Sequence, residues 1–209
     1  LYFWFFPCTE LSRTSAPVIL WLSGGPGITA MYSLFEENGP FVVANDSVTI
    51  RRREHAWTNK YHMLYIDQPV GTGFSFTRNK THGHIDTQEE VAEHVYDALS
   101  QFYKLFFELK SNDLYIGGES YAGKYVPTLA IKIHQVNRQQ ETDKMPLAGL
   151  IIASGFSDPW SMIESGPALY GLGLIDKKER KMLEATEDDI KNRARNGAWP
   201  RWRSSTCLW

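Results

Sequence analysis

The segment GESYAG, residues 118–123, places a serine where a catalytic nucleophile could stand. Ser120 has a glycine or an alanine two residues away on each side, and an apolar run ends just before it. Small flanking residues let a chain turn sharply from a strand into a helix and expose the hydroxyl, which can then attack a carbonyl carbon. A glycine-rich turn whose serine only caps a helix has the same composition. These residues alone leave both interpretations open.

A second glycine-rich segment, WLSGGPG at residues 21–27, also follows an apolar run. Glycines leave the backbone N–H groups unobstructed, so these groups can stabilise an oxyanion. A phosphate-binding loop and a purely structural turn are the alternatives, but the segment has no Walker lysine and no G-x-G-x-x-G pattern. Ser120 follows about 95 residues later. Together the two segments predict a nucleophile and an oxyanion loop, the plan of an acyl-transfer site.

Five short apolar runs bounded by proline or glycine predict the strands of a sheet. The runs are residues 1–6, 18–22, 63–66, 114–116 and 150–152. Because these runs are continuously apolar, we expect the sheet to be covered on both faces.

The helices are predicted from capping residues and apolar periodicity. Thr87 and Glu90 form a capping box, and apolar residues then recur at three- and four-residue steps as far as Leu109. A second helix is predicted at about residues 125–135, with Pro127 tolerated in its first turn. Strands that alternate with crossover helices predict an α/β protein with a mixed, mostly parallel sheet flanked by helices.

The composition limits the possible partners. A chain of 209 residues suits one domain or a part of a larger one. A formal net charge of −2 provides no basic surface for nucleic acid. No apolar run approaches the roughly 20 residues that span a bilayer. We therefore expect neither a nucleic-acid partner nor a membrane span.

The cysteines and the N-x-[ST] sequons bear on the compartment. Cys8 and Cys207 stand near the two ends of the chain, so neither a disulfide framework nor a metal site of cysteine spacing is predicted. No cofactor is expected. The sequons at Asn45 and Asn79 are typical of glycosylated surface loops in a secretory-pathway protein.

Four motifs in this order resemble the serine carboxypeptidases, a family of α/β-hydrolases. They are WLSGGPG at residues 21–27, ENGPF at 37–41, YIDQPVGTGFSF at 65–76 and GGESYAGKYVP at 117–127. Within the family the resemblance is closest to the vitellogenic carboxypeptidase-like group, which also carries FWFFP, THG and GKYVP stretches. It runs from Leu1 to about Trp199, roughly the first half of a family member after its leading segment, and implies a partial α/β-hydrolase fold.

The resemblance implies a role for each matching residue. Ser120 matches the nucleophile that forms the acyl-enzyme, and the backbone N–H groups of Gly25 and Tyr121 match the oxyanion hole. Glu37 and Glu119 match carboxyl groups that bind the C-terminal carboxylate of a peptide, for which they must share protons. The implied activity is the release of C-terminal residues from peptides at acid pH. The implied location is a lysosome or vacuole, or outside the cell after secretion.

Ser23 and Gly24 match further substrate-binding positions. Most family members have an asparagine where this chain has Ser23, and a serine hydroxyl is shorter and offers a single donor. The difference bears on recognition of the terminal carboxylate and not on acyl transfer itself.

A catalytic serine needs a histidine and an aspartate as partners, and this sequence offers no clear candidates. The family places its aspartate and histidine after the nucleophile, in the C-terminal portion. His134, predicted at the end of the second helix, is the only histidine after Ser120, and such a histidine is most often a surface residue. His82 and His84, in a glycine-containing loop, are most often solvated. Because a serine without an imidazole base is a poor nucleophile, we expect the triad aspartate and histidine to belong to sequence outside this chain.

We predict three segments along the chain. Residues 1–175 form the N-terminal portion of the hydrolase core, residues 176–199 begin a helical insertion, and residues 200–209 form a tail unlike the family. Asp176 and Glu179 cap the helix that opens the insertion. Three functions remain open: part of a serine carboxypeptidase, a short inactive product that at most binds peptides, and acyl transfer to an acceptor other than water.

Overall fold

The computed structural model describes residues 1–78 and 85–196. Asn79, His82, His84, Cys207 and the predicted tail at residues 200–209 lie outside the described residues. Contacts divide the chain into two compact units, Leu1–Ser157 and a second that begins at Asp158. The assignment of residues 176–199 to a helical insertion stays a prediction.

The first unit is built on a five-stranded sheet with a separate two-stranded hairpin. In chain order the strands are β1 (Tyr2–Phe6), β2 (Val18–Leu22), β3 (Phe41–Val43), β4 (Ile50–Arg52), β5 (His62–Asp67), β6 (Leu114–Glu119) and β7 (Leu147–Ala153). The large sheet has the order β1-β5-β2-β6-β7, and β3 pairs with β4. Among the described strands of the large sheet, only β1 is antiparallel to its neighbour, so the predicted mixed, mostly parallel sheet is confirmed.

The centre of the sheet is buried on both faces. On β2, Val18, Leu20 and Leu22 pack into one apolar cluster, whereas Ile19 and Trp21 pack into another on the opposite face. Successive side chains of a strand point to opposite faces, so both sets must be apolar. This explains the continuous apolar run of this strand in the sequence.

Six α-helices accompany the strands in residues 1–78 and 85–196. In chain order they are α1 (Ala30–Tyr32), α2 (Gln88–Leu105), α3 (Ala122–Gln139), α4 (Pro159–Met162), α5 (Gly166–Gly171) and α6 (Lys177–Arg195). α2 and α3 cover the face of the sheet that carries Leu20. The predicted capping box of α2 is confirmed, since the Glu90 N–H donates to Thr87 Oγ1 at 3.2 Å and the Thr87 N–H to Glu90 Oε2 at 3.1 Å. The helix ends at Leu105, and a 3-10 turn follows at Phe107–Leu109.

The prediction for α3 is wrong at both ends. The helix begins at Ala122, immediately after the serine corner, so Pro127 lies in its second turn rather than its first. It continues to Gln139, so His134 lies within the helix on an exposed face rather than at its end. The last turn persists because the Asn137 side chain bonds to both backbone groups of Met145, at 2.8 and 2.9 Å.

Short elements that were not predicted cover the opposite face of the sheet. A π-helical turn at Ser33–Glu37 follows α1, and a 3-10 turn lies at Trp57–Asn59. Ala30 and Leu34 pack against Trp21 of β2. These elements are too short to show a hydrophobic period in the sequence.

The described part of the second unit contains α4, α5 and α6. The predicted cap of α6 is confirmed, because the Glu179 N–H donates to Asp176 Oδ1 and the Asp176 N–H donates to Glu179 Oε2, both at 2.8 Å. Within the described residues, no helix has the length and apolar character needed to cross a bilayer.

Candidate active site

Ser120 forms the corner between β6 and α3. Its φ is +56°, in the left-handed region that non-glycine residues rarely adopt. Backbone hydrogen bonds hold this conformation: the Ser120 N–H donates to Ala153 O at 3.0 Å, and Ser120 O accepts from Phe156 N at 2.7 Å and Gly123 N at 3.0 Å. The side chain is exposed. The structure thus maintains a strained corner that exposes the Ser120 hydroxyl.

The small residues beside Ser120 allow the tight turn. A Cβ at Gly118 would lie 2.3 Å from Leu22 O and 2.5 Å from Ala122 Cβ. A Cβ at Gly123 would lie 2.7 Å from Phe156 N. Larger residues would push the corner away from β2 and from the segment after β7.

The glycine-rich loop after β2 touches this corner. β2 and β6 are adjacent and parallel, with Leu22 opposite Gly118, so their carboxyl ends meet. A Cβ at Gly24 would lie 2.7 Å from Tyr121 N and 2.9 Å from Ser120 Cβ.

The two predicted oxyanion donors are unengaged. Gly25 has a φ of +105°, a conformation that glycine adopts without strain. Among the hydrogen bonds of the described residues, the N–H groups of Gly25 and Tyr121 have no acceptor. Two backbone donors are therefore available near the Ser120 hydroxyl.

Glu119 and Glu37 form a carboxyl pair beside the serine. Both are half-buried. Burial raises the pKa of Glu119, and the charge of Glu37 and a hydrogen bond between the two side chains raise it further. A raised pKa favours the protonated form of Glu119 next to a second carboxyl group. Glu37 Oε2 is buried and accepts no hydrogen bond from an N–H or hydroxyl group in the described part of the chain.

Arg53 fixes the turn that carries Glu37. Its guanidinium donates to the backbone oxygens of Phe35 at 2.6 Å, Gly39 at 3.0 Å and Phe41 at 3.3 Å. Three carbonyls held by one side chain make the turn rigid. No pattern in the sequence identifies this arginine among its neighbours.

Tyr65 and Asn38 are hydrogen-bonded to each other near Glu37. The Tyr65 hydroxyl, at the centre of β5, donates to Asn38 Oδ1 at 2.8 Å. Burial raises the pKa of the Tyr65 phenol, and the charge of Glu37 adds to this rise, so the phenol stays protonated. The Asn38 N–H donates to Ser33 O at 3.0 Å and closes the π-helical turn.

Ser23 lies directly after β2, fully buried. Its hydroxyl is 2.8 Å from the hydroxyl of Ser33, which is also fully buried. Ser33 begins the turn that ends at Glu37. Ser23 is thus tied to the turn that carries Glu37, a predicted substrate-binding residue.

Asp67, which the sequence analysis missed, positions two loops at the same end of the sheet. Its Oδ1 accepts from Thr29 Oγ1 at 2.7 Å and from Ala30 N at 2.8 Å, and its Oδ2 accepts from Phe74 N at 2.8 Å. Asp67 is buried at the end of β5. A buried carboxylate with three donors is a structural anchor.

None of the described histidines is hydrogen-bonded to Ser120. His62 is buried at the start of β5, where Nδ1 accepts from Cys8 N at 3.0 Å and Nε2 therefore donates to Arg13 O at 2.9 Å. Burial lowers the pKa of His62 and keeps it neutral. His134 lies about 18 Å along α3 from the start of the helix, at 1.5 Å per residue.

His55 is exposed in a loop, and His94 is half-buried in α2. No hydrogen bond joins Ser120 to any histidine in the described ranges 1–78 and 85–196. The described residues also contain no cluster of three or more histidine, cysteine, aspartate or glutamate side chains suited to a metal ion.

Comparison with known proteins identifies this architecture. The family model described as "Serine carboxypeptidase" matches residues 1–200. The chain is similar to a solved structure, the prohormone-processing carboxypeptidase Kex1(delta)p of Saccharomyces cerevisiae, with a TM-score of 0.81 and 33% identity over 94% of this chain and 43% of that one.

Similar sequences carry related names. The human "Probable serine carboxypeptidase CPVL" is 46% identical over 200 residues, 95% of this chain and 41% of its own length. The "Venom serine carboxypeptidase" of Apis mellifera is 45% identical over 95% of this chain and 42% of its own length. The "Vitellogenic carboxypeptidase" of Aedes aegypti is 42% identical over 88% and 38%, respectively. The chain thus spans about two fifths of the length of these relatives.

The mostly parallel sheet, the covering helices and the match to a solved carboxypeptidase define an α/β-hydrolase fold. Within that class, the chain belongs to the serine carboxypeptidase family.

Proposed function

We propose that the protein to which this chain belongs is a serine carboxypeptidase that releases C-terminal residues from peptides through an acyl-enzyme on Ser120. The observation that carries this proposal is the exposed Ser120 corner in contact with the Gly24 loop and next to the Glu119–Glu37 pair. A nucleophile, two unengaged backbone donors and a carboxyl pair are gathered at one end of the sheet.

The chemistry follows from these groups. Ser120 Oγ attacks the carbonyl carbon of the last peptide bond while its proton passes to a general base. The N–H groups of Gly25 and Tyr121 stabilise the resulting oxyanion. Return of the proton to the leaving amine breaks the C–N bond, and water then hydrolyses the acyl-enzyme. We assign the general base to a histidine outside the described residues.

The Glu119–Glu37 pair supports exopeptidase specificity. A carboxyl group that keeps its proton can donate to the terminal carboxylate of a peptide, whereas an ionised one repels it. Because the pKa of Glu119 is raised, the donating form persists to a higher pH than in a free glutamate side chain. The pair therefore favours substrates with a free C-terminal carboxylate and favours work in an acid compartment.

One observation supports a second candidate. Ser120 has no hydrogen bond to a histidine within the described residues. If no base reaches it, the same cleft binds peptide C-termini without cleaving them. Acyl transfer to an alcohol or amine would use the same groups as hydrolysis and differ only in the acceptor.

A fluorophosphonate probe separates these functions, because it reacts only with an activated serine. We expect the protein expressed from its complete coding sequence to be labelled on Ser120, and the matched Ser120→Ala variant to be unlabelled. The labelled protein should cleave a peptide acid and spare the corresponding C-terminal amide. Absence of labelling, together with binding of the peptide acid, would favour the non-catalytic function; ester or amide products in the presence of an added acceptor would favour acyl transfer.

We further propose that the protein passes through the secretory pathway to a lysosome or vacuole, or is secreted. Asn45 supports this, because it lies exposed in the turn between β3 and β4, where an oligosaccharide can be attached. Secretory expression should yield a glycan at Asn45 that the Asn45→Gln variant loses. A protein of unmodified mass at this position would contradict glycosylation there.

A further inference from the structure

The side chain of Gln88 reaches the serine corner from a separate element. Gln88 is the first residue of α2, and its Nε2 donates to the phenol oxygen of Tyr121 at 3.1 Å. The two residues are 33 positions apart in the sequence, and both are half-buried. Tyr121 directly follows Ser120 and supplies one of the two N–H groups assigned to the oxyanion hole. A side chain of α2 is therefore bonded to the residue that carries this donor.

The direction of the Tyr121 N–H is set by the peptide group between Ser120 and Tyr121. The carbonyl end of this group, Ser120 O, accepts from the N–H groups of Phe156 at 2.7 Å and Gly123 at 3.0 Å. The N–H end has no acceptor among the described residues. Because the φ of Ser120 is +56°, this conformation persists only if the surrounding contacts hold it firmly. Contacts of the Tyr121 side chain must therefore restrain the N–H end.

Three contacts restrain that side chain. The ring of Tyr125 packs edge-on against the ring of Tyr121, with centroids 5.2 Å apart, and the ring of Phe156 stacks on it at 6.3 Å. Ring contacts of this kind tolerate sliding, because their energy varies little with small shifts. The bond from Gln88 is the only hydrogen bond to the phenol oxygen among the described residues. It is the contact that fixes the far end of the ring.

Gln88 is itself held in place and is costly to keep. The capping box of Thr87 and Glu90 closes the first turn of α2 around it. Its Oε1 is buried without a hydrogen-bond partner in the described part of the chain. A buried acceptor that is left unpaired lowers stability. A residue that breaks a rule of stability in this way, beside a proposed active site, is typical of one that serves the site.

We propose that Gln88 is a positioning residue for the oxyanion hole: its amide holds the phenol of Tyr121 and thereby keeps the Tyr121 N–H aimed at the developing oxyanion. This inference rests on the proposed carboxypeptidase function. Gln88 acts through Tyr121 and not on the substrate, so its loss should slow the chemical step and leave substrate binding unchanged. Because the carbonyl end of the peptide group stays bonded, the loss in kcat should be about threefold to tenfold, below the roughly hundredfold loss that follows removal of a whole oxyanion donor.

The test measures kcat and KM for a peptide acid, the rate of fluorophosphonate labelling and the melting temperature. The protein is expressed from its complete coding sequence. Gln88→Leu keeps the volume and removes the amide, whereas Tyr121→Phe keeps the ring and the backbone N–H and removes the phenol oxygen. Each should lower kcat and the labelling rate about threefold to tenfold and change KM by less than about twofold. The double variant should be no slower than either single variant, because both remove the same bond.

A third variant and two matched controls make the test decisive. Gln88→Asn keeps an amide but is one methylene too short to reach the phenol, so it should slow the reaction as Gln88→Leu does, and it serves if that variant unfolds. Gln101→Leu removes an exposed amide of α2, and Tyr103→Phe removes a buried phenol that has no partner in the described residues. Neither control should change kcat or the labelling rate.

The outcomes are distinguishable. If the unsubstituted protein is labelled on Ser120 and the Gln88 and Tyr121 variants lose only melting temperature, Gln88 is merely structural and the inference is overturned while the proposed function stands. A rise in KM with unchanged kcat would overturn it as well, since Gln88 would then act on substrate binding. If the unsubstituted protein is neither labelled nor active, the proposed function fails, and the inference fails with it.

Discussion

Gly24→Ala should damage the proposed active site and the fold together. The new Cβ would lie 2.7 Å from Tyr121 N, 2.8 Å from Glu119 O and 2.9 Å from Ser120 Cβ. Two of these neighbours are backbone atoms, which cannot rotate away. The loop after β2 must therefore recede from the serine corner by about 0.5–0.7 Å to reach ordinary contact near 3.4 Å.

The magnitudes follow from that displacement. Overpacking of this kind costs about 2 kcal/mol, which for a chain of this size lowers the melting temperature by about 4–8 °C. The N–H of Gly25 moves with the loop away from the developing oxyanion. A displacement of this order should slow reaction of Ser120 about tenfold to a hundredfold.

The assay is the rate of fluorophosphonate labelling of the protein expressed from its complete coding sequence, with a thermal melt of the same samples. The matched control is Gly171→Ala at the end of α5, where no atom lies within 4 Å of the new Cβ and neither quantity should fall. A Gly24→Ala protein with unchanged labelling and melting temperature would refute the close contact between the loop and the corner.

Three other predictions concern charge, anchoring and the edge of the sheet. Because burial and the neighbouring Glu37 raise the pKa of Glu119 on folding, Glu119 costs stability as pH rises through its folded pKa. Glu119→Gln should therefore raise the melting temperature at about pH 7 and not at about pH 4. Equal shifts at both pH values would show that folding does not raise the pKa of Glu119. Asp67→Ala leaves one buried and two partly buried donors without their acceptor and should lower the free energy of unfolding by about 3 kcal/mol in urea titrations. A loss below about 1 kcal/mol would contradict its anchoring role. β7 has a single strand partner in the described residues, and its Leu150 and Ile152 are 45% and 42% exposed. The 209-residue chain should therefore aggregate, and lysines at both positions should reduce its light scattering. A sharp melt of a stable monomer would argue against this.

The five strands of the large sheet and the start of α2 could be predicted from the sequence because their signals are local. The run at residues 18–22 is apolar throughout, and it forms a strand buried on both faces. The capping box of Thr87 and Glu90 requires only residues three positions apart, and both of its hydrogen bonds are present.

The bounds of α3 could not be predicted in this way. Its start is set by the corner at Ser120, whose strained backbone is held by Ala153 and Phe156 on a distant part of the chain. Its last turn is held by Met145, which lies beyond the helix. The hairpin of β3 and β4 was missed because each strand has only three residues and shows no period.

The sequence by itself determined the order of the five main strands and the long helices, the serine at a strand-to-helix corner and the glycine-rich loop, because these depend on residue type and short spacing. Only the tertiary structure decided which groups meet. It brought Gly24 against Ser120, Glu37 against Glu119 and Ser33 against Ser23, since parallel strands place distant segments side by side at their carboxyl ends. The raised pKa of Glu119 arises from burial and from those contacts, which no local pattern encodes.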